Sequence, residues 1–160
     1  MRPIIALALF LGCATPESPG PEAPPVTAEL PPGRYVVLDA AQAVATGRQC
    51  SRSAPDITAG WPMTDEDAQA VEARLNELVE SSTSGSRLDL VSSVRQYVGA
   101  VVDGRQVIYL NAFPASMMAT DDDLDLTRPM MVCDGGPNFW GVVFDPETKQ
   151  FSELDFNGPY

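Results

Sequence analysis

The sequence predicts an α+β domain in which one amphipathic helix packs on a single antiparallel sheet of about five strands. Three observations predict this class: one capped stretch has helical periodicity, several short runs are rich in Val and aromatic residues, and turn dipeptides separate those runs. All of these elements fall in residues 34–160, a length typical of one domain. The first of them is a short strand at residues 35–38, which is followed by a loop around Cys50.

The helix is predicted over residues 65–80. Thr64 is a favourable N-cap, Asp67 stands three residues on as its capping-box partner, and the acidic first turn suits the positive end of the helix dipole. Apolar residues then recur at helical spacing, at Ala68, Val71, Leu75 and Leu78. A run of small polar residues at 81–86 ends the helix.

A β-hairpin is predicted after the helix. Residues 88–102 and 107–113 are rich in β-branched and aromatic residues, and Asp103-Gly104 between them suits a two-residue turn with positive φ. The length of the first segment and its Gly99 predict a bend or a bulge partway along it.

The remaining strands are predicted near the end of the chain. Residues 130–133 form a short apolar strand, residues 134–137 a turn and residues 139–144 a further strand, and a loop at 145–149 leads to a last strand that ends before Asn157-Gly158. One face of such a sheet receives the helix, and the other must meet water, a partner or the long loops.

Residues 1–13 are predicted to be a targeting segment. Arg2 supplies a minimal positive start, and residues 4–11 form an apolar run that is too short to span a bilayer. The run ends in Phe10-Leu11-Gly12-Cys13, which resembles the lipobox of bacterial lipoproteins, although its first two positions hold bulkier residues than usual. The resemblance implies lipidation of Cys13 and attachment to a membrane through that lipid. The alternative is ordinary cleavage near Ala14.

Residues 14–33 contain seven prolines among small and acidic residues. This composition favours an extended, solvated spacer between anchor and domain, with a proline-rich recognition ligand as the alternative. Ala14 stands where an aspartate retains some lipoproteins at the inner membrane. We therefore expect a cell-envelope protein, on the periplasmic face of the outer membrane or at the cell surface.

The three cysteines support an oxidising compartment. Once Cys13 carries the lipid, Cys50 and Cys133 remain as an even pair, which we expect to form a disulfide. A bridge over so long a loop removes about 4 to 5 kcal/mol of unfolded-chain entropy in the polymer model. The alternative is two unrelated buried thiols.

Charge and composition disfavour several classes of protein. The formal net charge is −12 and Lys149 is the only lysine, so the chain repels nucleic acid and anionic lipid. It also contains no histidine, the most frequent general base and a common zinc ligand. We expect a non-enzymatic protein with no cofactor and no nucleic-acid partner.

Several sequence blocks of the domain resemble a known group of proteins. The blocks are Gln96-Tyr97-Val98-Gly99, Ile108-Tyr109-Leu110-Asn111-Ala112-Phe113, Cys133-Asp134-Gly135-Gly136, Phe139-Trp140-Gly141-Val142 and Phe156-Asn157-Gly158. Together they resemble small bacterial envelope proteins, several of them lipoproteins, that carry these blocks in this order. The resemblance spans the last two-thirds of the chain and implies no activity, because none is assigned to that group.

A more distant similarity is to cystatin-type inhibitors, which lay one helix across an antiparallel sheet and use a Gln-x-Val-x-Gly hairpin with a later Pro-Trp loop. Here the block at residues 96–99 lacks one spacing residue, and Pro137 and Trp140 are not adjacent. The similarity implies a shared architecture without the inhibitory contacts. Inhibition of a hydrolase is therefore the alternative function.

An acidic loop is the weak candidate for a metal site. Asp121, Asp123 and Asp125 alternate as the first ligands of a calcium loop do. Leu126 replaces the glycine of the sharp turn, however, and Val132 occupies the place of the bidentate ligand. A solvated acidic loop is the preferred interpretation.

A second candidate for chemistry is Cys133-Asp134-Gly135-Gly136, which offers a thiol, a carboxylate and backbone amides. Without a histidine to activate the thiol, and with Cys133 paired, the glycines favour a turn with positive φ beside a disulfide. A small hydrolase, the least favoured function, needs carboxylates such as Asp134 and Asp145 to converge in a cleft.

Aromatic residues in the predicted strands are candidates for a partner-binding surface, namely Tyr97, Tyr109, Phe139 and Trp140. Because strand residues alternate between faces, Phe139 and Trp140 must point in opposite directions, which makes one of them a candidate anchor on an uncovered face. The sequence thus predicts a lipid-anchored envelope protein that binds a protein or other ligand through that face or through its loops.

Overall fold

The computed structural model describes residues 35–82, 88–120 and 124–159, and these residues form an α+β fold. The strands are β1 (Tyr35–Val37), β2 (Ile57–Gly60), β3 (Ser93–Val102), β4 (Arg105–Pro114), β5 (Trp140–Asp145) and β6 (Gln150–Phe156). The helices are α1 (Ala43–Thr46), α2 (Asp65–Glu72) and α3 (Leu75–Ser81), with 3₁₀ turns at Ala40–Gln42, Ala115–Ala119 and Gly136–Asn138. The predicted leader at 1–13 and spacer at 14–33 lie outside the described residues.

The described strands form one mixed sheet. β3, β4, β5 and β6 pair antiparallel in that order, and β1 and β2 follow one another along the free side of β3. β1 pairs parallel to β3, with Tyr35 opposite Arg95, so the prediction of a purely antiparallel sheet is wrong. The long segment between these strands, with its helices, supplies the crossover that a parallel pair requires.

The predicted β3–β4 hairpin is confirmed. Asp103 and Gly104 both have positive φ, at 50° and 75°, and the strands pair without interruption from Ser93–Pro114 to Val102–Arg105. The predicted bulge at Gly99 is therefore absent from the pairing of β3 with β4. The structure gives this glycine another role.

Gly99 makes room for Trp61. A Cβ atom at Gly99 would clash with the backbone carbonyl oxygen of Trp61 and lie 2.9 Å from two atoms of its ring. The indole nitrogen of Trp61 donates to the carbonyl oxygen of Val107 at 2.9 Å. The glycine thus permits the backbone and the ring of Trp61 to pack closely on β3.

The predicted helix is present as α2 and α3, separated by a short turn at residues 73–74. Both hydrogen bonds of the predicted capping box form: the amide of Asp67 donates to the hydroxyl of Thr64 at 3.3 Å, and the amide of Thr64 donates to the Asp67 carboxylate at 2.8 Å. The predicted apolar stripe is buried, at Ala68, Val71, Leu75 and Leu78. It packs on the face of the sheet that carries Tyr97, Leu110 and Trp140.

The opposite face of the sheet is also covered. Leu38, Ala43 and Ile57, from the segment between β1 and β2, pack on one half of it. The loops at 115–120 and 124–132 cover Val94 and Phe113 on the other half. The long loops therefore take the place that water or a partner would otherwise occupy.

Candidate functional site

A layer of buried polar side chains lies between the face of the sheet opposite α2 and α3 and the segment at residues 124–134, which we call the covering loop. Its members are Arg52, Gln96, Tyr109, Asn111 and Asn157, each at most 8% exposed. Gln96 on β3 and Asn111 on β4 are directly opposite in the strand register, so alternation places both on this face. Tyr109, two residues before Asn111 on β4, shares that face, and Arg52 and Asn157 flank the sheet, because Arg52 precedes β2 and Asn157 follows β6.

The amide side chains of this layer hold the covering loop at every second residue. Its acceptors are the carbonyl oxygens of Leu126, Arg128, Met130, Val132 and Asp134. Gln96 donates to the first two at 2.9 and 2.6 Å, Asn111 to the third at 2.8 Å, and Asn157 to the last two at 2.7 and 2.6 Å. Side chains thus supply the donors that a neighbouring strand would supply in a sheet.

This arrangement corrects the prediction of a strand at residues 130–133. The segment pairs with no strand among the described residues. Alternate backbone carbonyl groups of this segment accept hydrogen bonds from the amide side chains of Asn111 and Asn157. The apolar run, although typical of a strand, is therefore a loop that packs on the sheet. The hydrogen-bonding needs of its backbone are met in either case.

Gln96 makes all four hydrogen bonds that a carboxamide can make. Besides its two donated bonds, its oxygen accepts from the backbone amide of Met130 at 2.8 Å and from the side-chain amide of Asn111 at 3.1 Å. Gln96 therefore binds the loop through the backbone amide of Met130 and through the carbonyl groups of Leu126 and Arg128. A fully satisfied buried network of this kind fixes one conformation.

Arg52 joins the layer as a buried cation with neutral acceptors. Its Nη1 donates to Oδ1 of Asn157 at 2.7 Å, and its Nη2 donates to Oδ1 of Asn111 and to the Tyr109 hydroxyl. Its Nε is buried with no hydrogen-bond partner among the described residues. A Cβ atom at Gly141 would lie 3.0 Å from this Nε and 2.5 Å from the Tyr109 hydroxyl. Glycine is therefore needed beneath the guanidinium.

The layer is suited to holding structure and not to acid–base chemistry. Burial raises the pKa of Tyr109, an effect that the neighbouring Arg52 partly opposes. The phenol therefore stays neutral at physiological pH, and the other members are amides and a guanidinium. None of these groups provides a base or an activated nucleophile.

A disulfide joins Cys50 to Cys133, as predicted, beside this layer. Both residues are exposed at the surface. The next residues carry the predicted turn, since Asp134, Gly135 and Gly136 all have positive φ, at 72°, 85° and 68°. The prediction that these glycines serve a turn beside a disulfide is confirmed.

A separate polar cluster fastens the helix to the other face of the sheet. Nε and Nη2 of Arg95 contact the two carboxylate oxygens of Glu72 at 2.6 and 2.8 Å, and the Tyr97 hydroxyl donates to the same carboxylate at 2.7 Å. Burial, followed by the negative charge of Glu72, raises the pKa of Tyr97 well above its ordinary value. The cluster is a helix-to-sheet contact.

The four aromatic residues predicted to form a partner-binding surface are buried. Tyr97 is 0% exposed, Tyr109 and Trp140 are 1% exposed, and Phe139 is 8% exposed. Phe139 and Trp140 do face opposite sides, but the loops cover the first and the helix covers the second. The prediction of an aromatic patch is wrong because neither face of the sheet is free. Gln96, Tyr97 and Val98 are likewise buried within β3 and form no projecting hairpin.

Within residues 35–82, 88–120 and 124–159, the exposed large apolar side chains are those of Val91 and Met131, which lie outside the helices and strands. Met131 is 56% exposed and Val91 is 75% exposed. Met117, Met118 and Met130 are half-buried over the cluster that contains Phe113 and Phe139. We call Met117, Met118, Met130 and Met131 the methionine surface. Sequence reasoning missed it, although two Met-Met pairs in a chain of six methionines were a visible signal.

The acidic candidates show no metal-binding arrangement. Asp121 and Asp123 lie outside the described residues. The Asp125 carboxylate accepts from the amide and the hydroxyl of Thr127, at 3.0 and 2.6 Å, and these bonds lower its pKa. Across residues 35–82, 88–120 and 124–159, no group of three or more His, Cys, Asp or Glu side chains is placed to hold a metal ion.

A small cleft of about 270 Å³ lies at the end of the sheet that is formed by the β3–β4 and β5–β6 hairpins. Val102, Val107 and Val143 contribute apolar lining, and Arg105 and Asp145 lie 3.6 Å apart at its side. Asp145 also accepts from two turn amides, which lower its pKa. Its carboxylate is thereby committed to the hairpin turn.

Comparisons with other proteins add no identification. The chain matches no protein-family model, no curated protein and no solved structure. Within the described residues, no helix combines the length and the apolar character needed to cross a membrane.

Proposed function

We propose that this chain is an exported lipoprotein of the bacterial envelope whose domain binds another envelope protein through the methionine surface. One observation carries the binding part of the proposal. The loop that presents Met130 and Met131 is held at every second carbonyl by Gln96, Asn111 and Asn157, yet it keeps Met131 56% exposed. A preformed apolar surface binds with less loss of conformational entropy than a mobile loop does.

The chemistry of the surface favours a protein partner. Methionine side chains are flexible and polarisable, and proteins use them on surfaces that adapt to apolar partners. The formal net charge of −12 opposes binding to an anionic leaflet or to nucleic acid. With anionic lipid and nucleic acid disfavoured, an uncharged, apolar patch on a neighbouring envelope protein is the partner that matches the methionine surface.

The disulfide supports the exported location. Disulfides persist in oxidising compartments, and Cys50 and Cys133 are paired. The apolar run at 4–11 and the lipobox-like Cys13 add the signals of export and of anchoring. In this proposal the proline-rich residues 14–33 are the spacer between lipid and domain.

Lipid attachment is tested with a Cys13→Ser variant and a matched Ala14→Ser variant. Cells expressing each chain are fed an alkyne-bearing fatty acid, and labelling of the chain is measured together with its mass. We expect labelled, processed protein from the parent and from Ala14→Ser, and no label from Cys13→Ser. An unlabelled parent chain with an intact leader in the cytosol contradicts the proposal.

Partner binding is tested by chemical cross-linking in intact cells followed by purification of the anchored protein. Met131→Glu adds a charge to the methionine surface, whereas Gln106→Glu adds the same charge at an exposed position at the opposite end of β4. We expect the cross-linked partner to fall roughly tenfold for Met131→Glu, as for loss of an apolar contact in an interface, and to be unchanged for Gln106→Glu. Equal recovery from both variants refutes binding through this surface.

A further inference from the structure

The Cys50–Cys133 disulfide lies at the surface, and hydrogen bonds that do not involve its sulfur atoms also join the two cysteine segments. Both cysteines are exposed, whereas Arg52 and Asn157, which belong to the buried polar layer, contact or lie within the same segments. The pair joins positions 83 residues apart, so the bond is a long-range cross-link. Exposed disulfides are open to attack by external thiolates.

Asn157 holds the two cysteine segments together without the sulfur atoms. Its oxygen accepts from Arg52 at 2.7 Å, two residues after Cys50. Its amide nitrogen donates to the carbonyl oxygens of Val132 and Asp134 at 2.7 and 2.6 Å, on either side of Cys133. One buried side chain therefore bridges both segments next to the bond.

The cysteine segment at residues 50–53 has further anchors on the end of β6. The amide of Gly158 donates to the hydroxyl of Ser51 at 3.0 Å and to its carbonyl oxygen at 3.1 Å, and the amide of Ser53 donates to Asp155 at 2.8 Å. None of these contacts involves the sulfur atoms, so none of them requires the disulfide.

We propose that Cys50–Cys133 is an exchangeable disulfide, which a dithiol protein of the envelope reduces and which re-forms while the domain stays folded. This gives the domain a thiol–disulfide exchange site in addition to its methionine surface. The role is independent of the binding that is proposed for that surface.

The exchange balances in atoms and electrons. A partner thiolate attacks one sulfur of the pair, which forms a mixed disulfide and releases the other cysteine as a thiolate. The second partner thiol, as its thiolate, then attacks its neighbour's sulfur, which forms the partner disulfide and releases the second cysteine. Two electrons and two protons pass from the partner dithiol to Cys50 and Cys133.

Reduction kinetics on the intact protein provide the first test, with dithiothreitol as the probe. We expect the rate of thiol release to rise in proportion to dithiothreitol concentration, with an unchanged far-UV circular dichroism spectrum. A bond that opens only on unfolding gives a rate that levels off at high dithiothreitol, together with loss of the spectrum. That result overturns the proposal.

A matched pair of variants tests the bridging role of Asn157. Asn157→Asp keeps the acceptor for Arg52 but removes both donors to the loop. Gln42→Glu makes the same amide-to-acid change at a side chain that donates to Thr127 of the same loop, at 2.8 Å, without bridging the cysteine segments. Each protein is equilibrated with reduced and oxidised glutathione.

We expect Asn157→Asp to shift the equilibrium toward the dithiol by roughly tenfold, as for loss of one or two hydrogen bonds. We expect Gln42→Glu to leave the equilibrium unchanged. Equal shifts in both variants, or none in either, overturn the bridging role. If Asn157→Asp does not fold, the dithiothreitol kinetics of the parent protein still decide whether the folded domain exchanges.

Discussion

Arg52 donates a hydrogen bond to Asn157 at 2.7 Å, although the two residues are 105 positions apart in the chain. This contact connects the segment before β2 with the end of β6 and places a guanidinium among neutral acceptors. Buried charges are ordinarily paired with an opposite charge. Here amide and phenol oxygens hold the cation, and the same amides hold the loop.

Replacement of Arg52 tests the importance of this connection. Arg52→Met keeps an apolar stem of similar length but leaves the oxygens of Asn111 and Asn157 without their donor. We expect a loss of about 2–4 kcal/mol in the free energy of unfolding, since buried polar groups become unsatisfied. Urea unfolding of the disulfide-bonded protein measures it.

Arg105→Met is the control for that change. The Arg105 side chain is 69% exposed and lies 3.6 Å from Asp145. Exposed ion pairs contribute little, so we expect a loss below about 1 kcal/mol. Similar losses from both arginine variants contradict a special role for Arg52.

Gly141 and Tyr109 provide a test of close packing. A methyl group at Gly141 meets the Tyr109 hydroxyl at 2.5 Å, so Gly141→Ala should destabilise the protein by about 1–3 kcal/mol. In a Tyr109→Phe background the clash with the hydroxyl disappears, and we expect the alanine to cost about 1 kcal/mol less. A double-mutant cycle by urea unfolding measures this coupling. Additive effects contradict the contact.

The Glu72–Tyr97 contact predicts loss of stability in alkaline solution. Burial raises the pKa of Tyr97 in the folded state above its value in the unfolded chain. Between these two pKa values the Tyr97 phenol is protonated in the folded state and ionised in the unfolded chain. Its contribution to the free energy of unfolding is therefore fully present below about pH 10, and it declines as the pH rises from there toward the folded pKa. We expect unfolding free energy to fall above about pH 10 in the parent protein.

Tyr97→Phe is the matched variant for the pH series. It loses the hydrogen bond to Glu72 and should be less stable at neutral pH by about 1 kcal/mol. Because it lacks the titrating phenol, its stability should decline less steeply in the alkaline range, while the contribution of Tyr109 remains. Parallel curves for the two proteins contradict the assignment to Tyr97.

The elements that local sequence determines were predictable. Thr64 and Asp67 mark the start of α2 through a capping box whose two members are three residues apart, and Asp103-Gly104 sets the β3–β4 hairpin. Sheet order depends on distant contacts. β1 pairs parallel with β3 only because the chain between them crosses the sheet, and β2 has just Ile57 and Thr58 as strong strand formers.

The candidate site was less predictable because its parts are far apart in sequence. Polar amides at Gln96 and Asn111, inside strands rich in apolar residues, were the available signal for a buried network. Nothing local connects them with Asn157 or Arg52. The exposure of aromatic residues was also misjudged, since the loops that cover Phe139 have no periodic pattern that predicts where they lie.

Amide side chains of the sheet hold the covering loop in one conformation. Hydrogen exchange at the backbone amide of Met130 tests it most directly, since this amide donates to Gln96 at 2.8 Å. We expect protection of roughly a thousandfold or more, comparable with the β3 and β4 amides. Gln96→Met, which removes the acceptor of the Met130 amide, should remove most of that protection, and Gln42→Met should not. Exchange of Met130 in the parent protein at the rate of an unprotected loop contradicts the claim.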